Sequence, residues 1–124
     1  MNQVKEGKRQ EERAAAFLKE KGMRLLVQNF RCRQGEVDIV GLHDGCLVFV
    51  EVKYRRSRRQ GLPEEAVGET KQMKICRTSD YFRICHPQYA NLQLRYDVLA
   101  INGDEIRWHQ NAFYYRENMQ VMRW

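Results

Sequence analysis

Several things are scarce in this chain. It holds two prolines, three histidines and four cysteines in 124 residues, and no unbroken apolar stretch outruns Cys46–Val50. Such a stretch is far short of the roughly 20 residues that cross a bilayer as a helix, so no transmembrane helix is expected. The start, Met1-Asn2-Gln3-Val4-Lys5-Glu6-Gly7-Lys8-Arg9, has no apolar region behind its charges, which argues against a secretory signal peptide. Cys32, Cys46, Cys76 and Cys85 form no Cys-x-x-Cys pair, and His43, His86 and His109 are not spaced near them as zinc ligands usually are. Without a signal peptide the thiols are expected to be reduced and the protein cytoplasmic. Internal repeats and low-complexity runs are missing as well.

What is present is globular. Hydrophobic residues make up 43% and charged residues 31%, with a formal net charge of +6. That is too apolar for a disordered chain, and the length predicts a single domain over 1–124. The positive balance suits an anionic partner, although a solvated basic face gives the same sum.

The pattern predicts a helix over about 5–21, with Ala14, Ala15, Phe17 and Leu18 on its apolar side and Gly22 as its stop. Glu11 shares that stripe with Ala14, Ala15 and Leu18. Strands are expected over 24–31, 36–42 and 46–54, the last two joined by Asp44-Gly45, a strong hairpin signal. Residues 55–62, polar and basic, are expected to form a flexible loop. Pro63-Glu64-Glu65 then opens a second helix, whose stripe of Ile75, Thr78, Phe82 and Cys85 runs to His86-Pro87. Strands over 94–101 and 105–110 flank an Asn102-Gly103 turn, and 112–115 fit either a short strand or a helix. The order α-β-β-β-α-β-β predicts an α/β domain with one central mixed sheet flanked by helices.

If Asp44-Gly45 is a two-residue turn, His43 faces Cys46, Asp38 faces Glu51, and Glu36 faces Lys53. Facing residues share a side of the sheet, about 4.5–5.5 Å apart at Cβ. One side then carries Glu36, Asp38, Glu51 and Lys53, and the other carries Val37, Ile39, Val50 and Val52 as a core face. Two facing acids repel unless something compensates, and a hard cation such as Mg²⁺ or Mn²⁺ would do so. Lys53 beside them can hold a phosphate oxygen or orient a water. A solvated sheet face is the plainer explanation for such charges. The nearly continuous apolar run Leu47–Val52 points instead to a strand covered on both sides.

Asp38 followed by Glu51-Val52-Lys53 resembles the D…ExK core of the PD-(D/E)xK nuclease superfamily, and the helix with an inward Glu11 resembles archaeal Holliday junction resolvases. Taken whole, the chain is similar to the YraN-like family of bacterial predicted endonucleases. The matching stretches include Glu11-x-x-Ala14, Asn29-x-Arg31-Cys32, Gly35–Val40, Val48–Lys53, Lys71, Tyr96-Asp97-Val98 and Ala112-Phe113. Gln10 and Val37 depart from the pattern, where glycine and proline are usual, but neither removes a ligand. The resemblance implies a restriction-endonuclease-like fold and a Mg²⁺- or Mn²⁺-dependent endonuclease acting on DNA, with branched DNA as a candidate substrate. It makes Asp38, Glu51, the Val52 carbonyl and Glu11 metal ligands and Lys53 the catalytic lysine.

Arg55, Arg56, Arg58 and Arg59 follow that lysine and are candidates for gripping the phosphate backbone. Lys71, Lys74 and Arg77 share a helical edge, and Lys71 also falls on the buried stripe, aimed at the site. Glu36 is read as a supporting residue that steadies Lys53. Asp97, on one face with Arg95 and Leu99, is read as half of a structural ion pair. Two cuts in a junction require two sites, so a homodimer is expected, with Trp108, Phe113 and Tyr115 as its exposed contact. The rivals are a catalytically inactive nucleic-acid-binding module of the same fold and a protein-interaction adaptor.

Overall fold

The computed structural model describes residues 3–55 and 67–115, with side chains from residue 7 on. Helix α1 (Gln3–Glu20) leads into β1 (Arg24–Cys32), β2 (Gly35–His43) and β3 (Cys46–Arg55). Helix α2 (Glu69–Cys85) follows, then a single 3-10 turn at Pro87–Tyr89, and finally β4 (Gln93–Asn102) and β5 (Glu105–Phe113). The five strands form one mixed sheet in the order β1-β2-β3-β4-β5, and only the β3–β4 pair is parallel. This is the expected α/β architecture and element order. No described helix is long and apolar enough to cross a membrane.

Parallel pairing of β3 with β4 requires a crossover, which α2 supplies. It also leaves β3 as the middle strand, covered on both faces, and Leu47 to Glu51 are all buried. On one face Ala14 and Leu18 of α1 pack on Ile39, Val48, Val50, Leu99 and Ile101. On the other, Ile75 and Phe82 of α2 pack on Val37, Val40, Phe49, Tyr96 and Val98. Each large apolar side chain buried this way contributes about 1.5–3 kcal/mol.

The Asp44-Gly45 turn has φ of 50° and 76°, both positive as a type I′ turn requires, and His43 pairs with Cys46 as expected. The second turn sits one residue later than expected. Asn102 pairs with Glu105, so Gly103 and Asp104 are its central residues, and Gly103 takes the positive φ of 63°. The expected helix start at Pro63–Glu65 lies outside the described residues. Val67 and Gly68 are not helical, and Gly68 is the extended N-cap of α2.

Two expectations about exposure are overturned. Val37 does not share a face with Ile39: it joins the α2-side cluster, while Ile39, Val50 and Val52 lie on the α1 side. Strict alternation fails where β2 has parted from β3, past Ile39↔Val50. Asn29 of β1, across from Asp38, has φ of 55°. Nor are Trp108 and Phe113 exposed contacts. Phe113 is buried and stacked on Tyr96, and Trp108 packs edge-on against Phe17. Tyr115 is 42% exposed.

Asp97 explains the place of Trp108. It is fully buried, pairs with Arg95 at 2.9 Å, and accepts the Trp108 indole N–H at 2.8 Å. It also accepts the Asn111 backbone N–H at 2.9 Å, where β5 bulges away from β4. The structural ion pair expected for Asp97 is therefore present. Asp97→Ala strands a buried guanidinium and two donors, so urea unfolding should show a loss of about 3–5 kcal/mol. A loss below about 1 kcal/mol would mean that Arg95 finds water instead.

Candidate active site

The candidate site forms where β2 stops pairing with β3. The ladder follows the expected register from His43↔Cys46 to Ile39↔Val50 and goes no further. Beyond it the Asp38 carboxylate takes the place of a strand partner, accepting the Val52 N–H at 2.7 Å. Val52 and Tyr54 turn toward the α1 side. Glu51 and Lys53 therefore turn the other way, toward α2.

Glu51 is 5% exposed, and two ammonium groups neutralise it. Lys71 Nζ lies 2.8 Å from Glu51 Oε2, and Lys53 Nζ lies 3.4 Å from the same oxygen. Lys71 reaches it from the first turn of α2, as the stripe of Ile75, Thr78 and Phe82 suggests, while Lys74 and Arg77 stay exposed. Burial disfavours charge on Lys71, but its hydrogen bond to Glu51 and the charges of Glu51, Asp38 and Glu36 outweigh that, so its pKa lies above the usual lysine value. Asp38 is placed differently. Burial, followed by the charge of Glu51, pushes its carboxyl up to about 7, against the pull of the Val52 N–H and Lys71.

Asp38, Glu51, Lys53 and Lys71 are thus brought together. Glu36 is not where the facing pairs put it. Its carboxylate is exposed and pairs with Arg31 at 3.1 Å, so Glu51, not Glu36, steadies Lys53. Glu11 approaches from α1, on the opposite face. Its carboxylate accepts a 3.4 Å hydrogen bond from Asn29, the β1 residue across from Asp38. Among the described residues no three His, Cys, Asp or Glu side chains gather closely enough to hold a metal ion. Arg55 ends β3, whereas Arg56, Arg58 and Arg59 lie outside the described residues.

Sequence reasoning did not find Asn29 or Arg31 as neighbours of the site. The available signal was Asn29 itself, since asparagine tolerates the left-handed backbone better than most residues.

Comparison with known proteins places the chain in a family. Residues 10–101 match the model of the uncharacterised protein family UPF0102, and the chain belongs to that family, which is the YraN-like group its motifs resemble. A UPF0102 protein of Lachnoclostridium phytofermentans is 43% identical over 113 residues, covering 91% of this chain and 96% of its own length. One from Syntrophus aciditrophicus is 46% identical over 114 residues, with 89% of each chain covered. Another from Cytophaga hutchinsonii is 36% identical, covering 88% of this chain and 95% of its own.

The strained acid pair has a pH signature. An Asp38 carboxyl raised in the folded state binds its proton more tightly there than in the unfolded chain. Stability therefore falls as pH rises from the unfolded value near 4 through about 7. Asp38→Asn keeps an oxygen for the Val52 N–H and removes the titration. In metal-free buffer the variant should melt above the wild type at pH 8, with the gap closing as pH drops to 4. A gap that ignores pH would show that Asp38 is well solvated.

Proposed function

We propose that this protein is a metal-dependent endonuclease that hydrolyses DNA phosphodiester bonds, with branched DNA as its candidate substrate. The observation that carries this reading is the buried Glu51 held by Lys53 and Lys71 beside a desolvated Asp38. The donor chemistry suits a hard divalent cation: two carboxylates that repel each other, oxygen donors only, and no soft ligand among them. Asp38, Glu51 and the Val52 carbonyl would hold Mg²⁺ or Mn²⁺, with Glu11 serving from α1. Such an ion supplies Lewis acidity and a water activated at neutral pH.

The chain's own residues do the rest. Asp38 is fixed by the Val52 N–H, so its free oxygen keeps one direction. Lys53, largely buried, orients the attacking water or the scissile phosphate and offsets charge that develops on the phosphate. The arginines from Arg55 to Arg59 and Lys71 grip the backbone, which fixes position without reading bases. Cutting two strands of a junction calls for two copies, and a homodimer belongs to this reading. Among the described residues the exposed large hydrophobics open to such a contact are Tyr81, Ile84, Tyr114 and Tyr115.

A second reading, a non-catalytic nucleic-acid-binding module, is favoured by one observation. Glu51 already has two ammonium partners, and no third acid joins the pair among the described residues.

Labelled four-way junction, flap, single-stranded and duplex DNA, incubated with Mg²⁺, Mn²⁺ or EDTA, separates the two. The nuclease cuts at least one substrate only with metal. Asp38→Ala and Glu51→Ala abolish cutting, and Lys53→Met slows it about 100-fold or more. A wild type that binds DNA equally well with and without metal, and cuts none of the four, is the binding module.

A further inference from the structure

An open cleft of about 390 Å³ lies on the α2 side and is lined in part by Lys71, the partner of Glu51. Arg31, Gly35 and Glu36 form one wall, and Lys71, Lys74 and Ile75 of α2 form the other. Gly35 lets the two walls close up. A Cβ there would lie 3.1 Å from Thr78 Oγ1 and 3.6 Å from Lys74 Cβ. Arg31, Lys71 and Lys74 thus line one cleft, and among the described residues lining it Glu36 is the only carboxylate. That carboxylate is already paired with Arg31, and both side chains are mostly exposed.

Lys71 belongs to two places at once. Its ammonium is on Glu51, yet its side chain is 41% exposed and lines the cleft. The flexible four-carbon stem of a lysine can carry the charge from one place to the other with α2 unmoved. Losing Lys71 leaves the buried Glu51 with Lys53 alone, a cost that a second cation offsets.

We infer that Lys71 exchanges partners. In the free protein its ammonium neutralises Glu51. With nucleic acid bound it moves onto a backbone phosphate seated in the cleft between Arg31 and Lys74, and Glu51 passes to the divalent cation. The cleft is then a phosphate subsite beside the scissile bond, and substrate binding and metal binding reinforce each other. This inference rests on the nuclease reading above.

Two measurements on the full chain test it, neither of them catalytic. The first is Mn²⁺ affinity without DNA, followed by electron paramagnetic resonance of the free ion. Lys71→Met removes the competitor and should bind Mn²⁺ about tenfold more tightly than wild type. Lys71→Arg keeps the ion pair, and Lys74→Met removes an equal charge without touching Glu51. Both should stay within about twofold of wild type. Lys53 still neutralises Glu51 in Lys71→Met, so that variant is expected to fold.

The second is the salt dependence of binding to a labelled four-way junction in EDTA. Arg31→Met and Lys74→Met should each lower the slope of log K against log salt by about 0.9, whereas Lys71→Met, whose lysine stays on Glu51 while no metal is present, should leave the slope near that of wild type. Equal Mn²⁺ affinity in Lys71→Met and Lys74→Met overturns the exchange, and unchanged slopes in Arg31→Met and Lys74→Met overturn the subsite. If the wild type nevertheless binds Mn²⁺ and cuts DNA, the nuclease reading survives that failure. If none of these proteins binds Mn²⁺, both fall together.

Discussion

Glu51 sits on the central strand with almost no access to water, and its charge has to be neutralised from within the protein. That requirement organises much of what surrounds it. Lys53 supplies one ammonium from two residues along the same strand face. Lys71 supplies the other and so pins the first turn of α2 against the sheet. From there Ile75, Thr78 and Phe82 continue the contact as ordinary packing. Glu51 takes both nearby lysines, and Asp38 is left with a backbone N–H as its main compensation. Burial first, and the charge of Glu51 second, raise the pKa of Asp38, and the Val52 N–H and Lys71 offset only part of that.

Asp38 and Asp97 show the same local device in two electrostatic settings. Each carboxylate accepts a backbone N–H where regular strand pairing is interrupted: Val52 at the end of the β2–β3 ladder, Asn111 at the β4–β5 bulge. Asp97 adds a guanidinium and an indole N–H, which leave it fully buried and satisfied. Such an acid is a fixture of the fold. Among the described residues no arginine pairs with Asp38, which stands next to another acid and holds its charge reluctantly. Perturbation by burial together with a specific like charge is the pattern expected at a reactive site rather than a structural one.

These differences also explain what could be read in advance. The β2–β3 register was legible as far as Ile39↔Val50, because Asp-Gly enforces a two-residue turn and those pairs follow by counting, but the expected facing pairs Asp38–Glu51 and Glu36–Lys53 do not form. The direction of Lys71 was legible because helical periodicity is local. The side of Val37 was not, since counting by twos assumes an unbroken ladder, and the ladder breaks at the residue of interest. Trp108 looked exposed on an edge strand because its partner, Asp97, lies on a different strand and only pairing of β4 with β5 brings them together. Glu11 shows the remaining limit. A stripe tells which side of α1 meets the sheet, but not that α1 and the Glu51–Lys53–Lys71 group lie on opposite faces.

That last point gives the site its shape. Groups on two faces of a sheet come near each other where two strands part, and β2 leaves β3 at Asp38 while each strand keeps its other neighbour. Asp38 stands at this opening, with Asn29 and Glu11 on the α1 side and Glu51 on the α2 side. On the nuclease reading proposed above the acids have a use here, because a bound cation would reverse the sign that each otherwise presents to a phosphate. Burying Glu51 costs desolvation, and ionising Asp38 beside it costs more. Strain of this kind persists only where the surrounding packing enforces it, and it lies next to a cleft lined by Arg31, Lys71 and Lys74. Destabilised acids facing a basic cleft are what a cation and a phosphate, arriving together, would relieve.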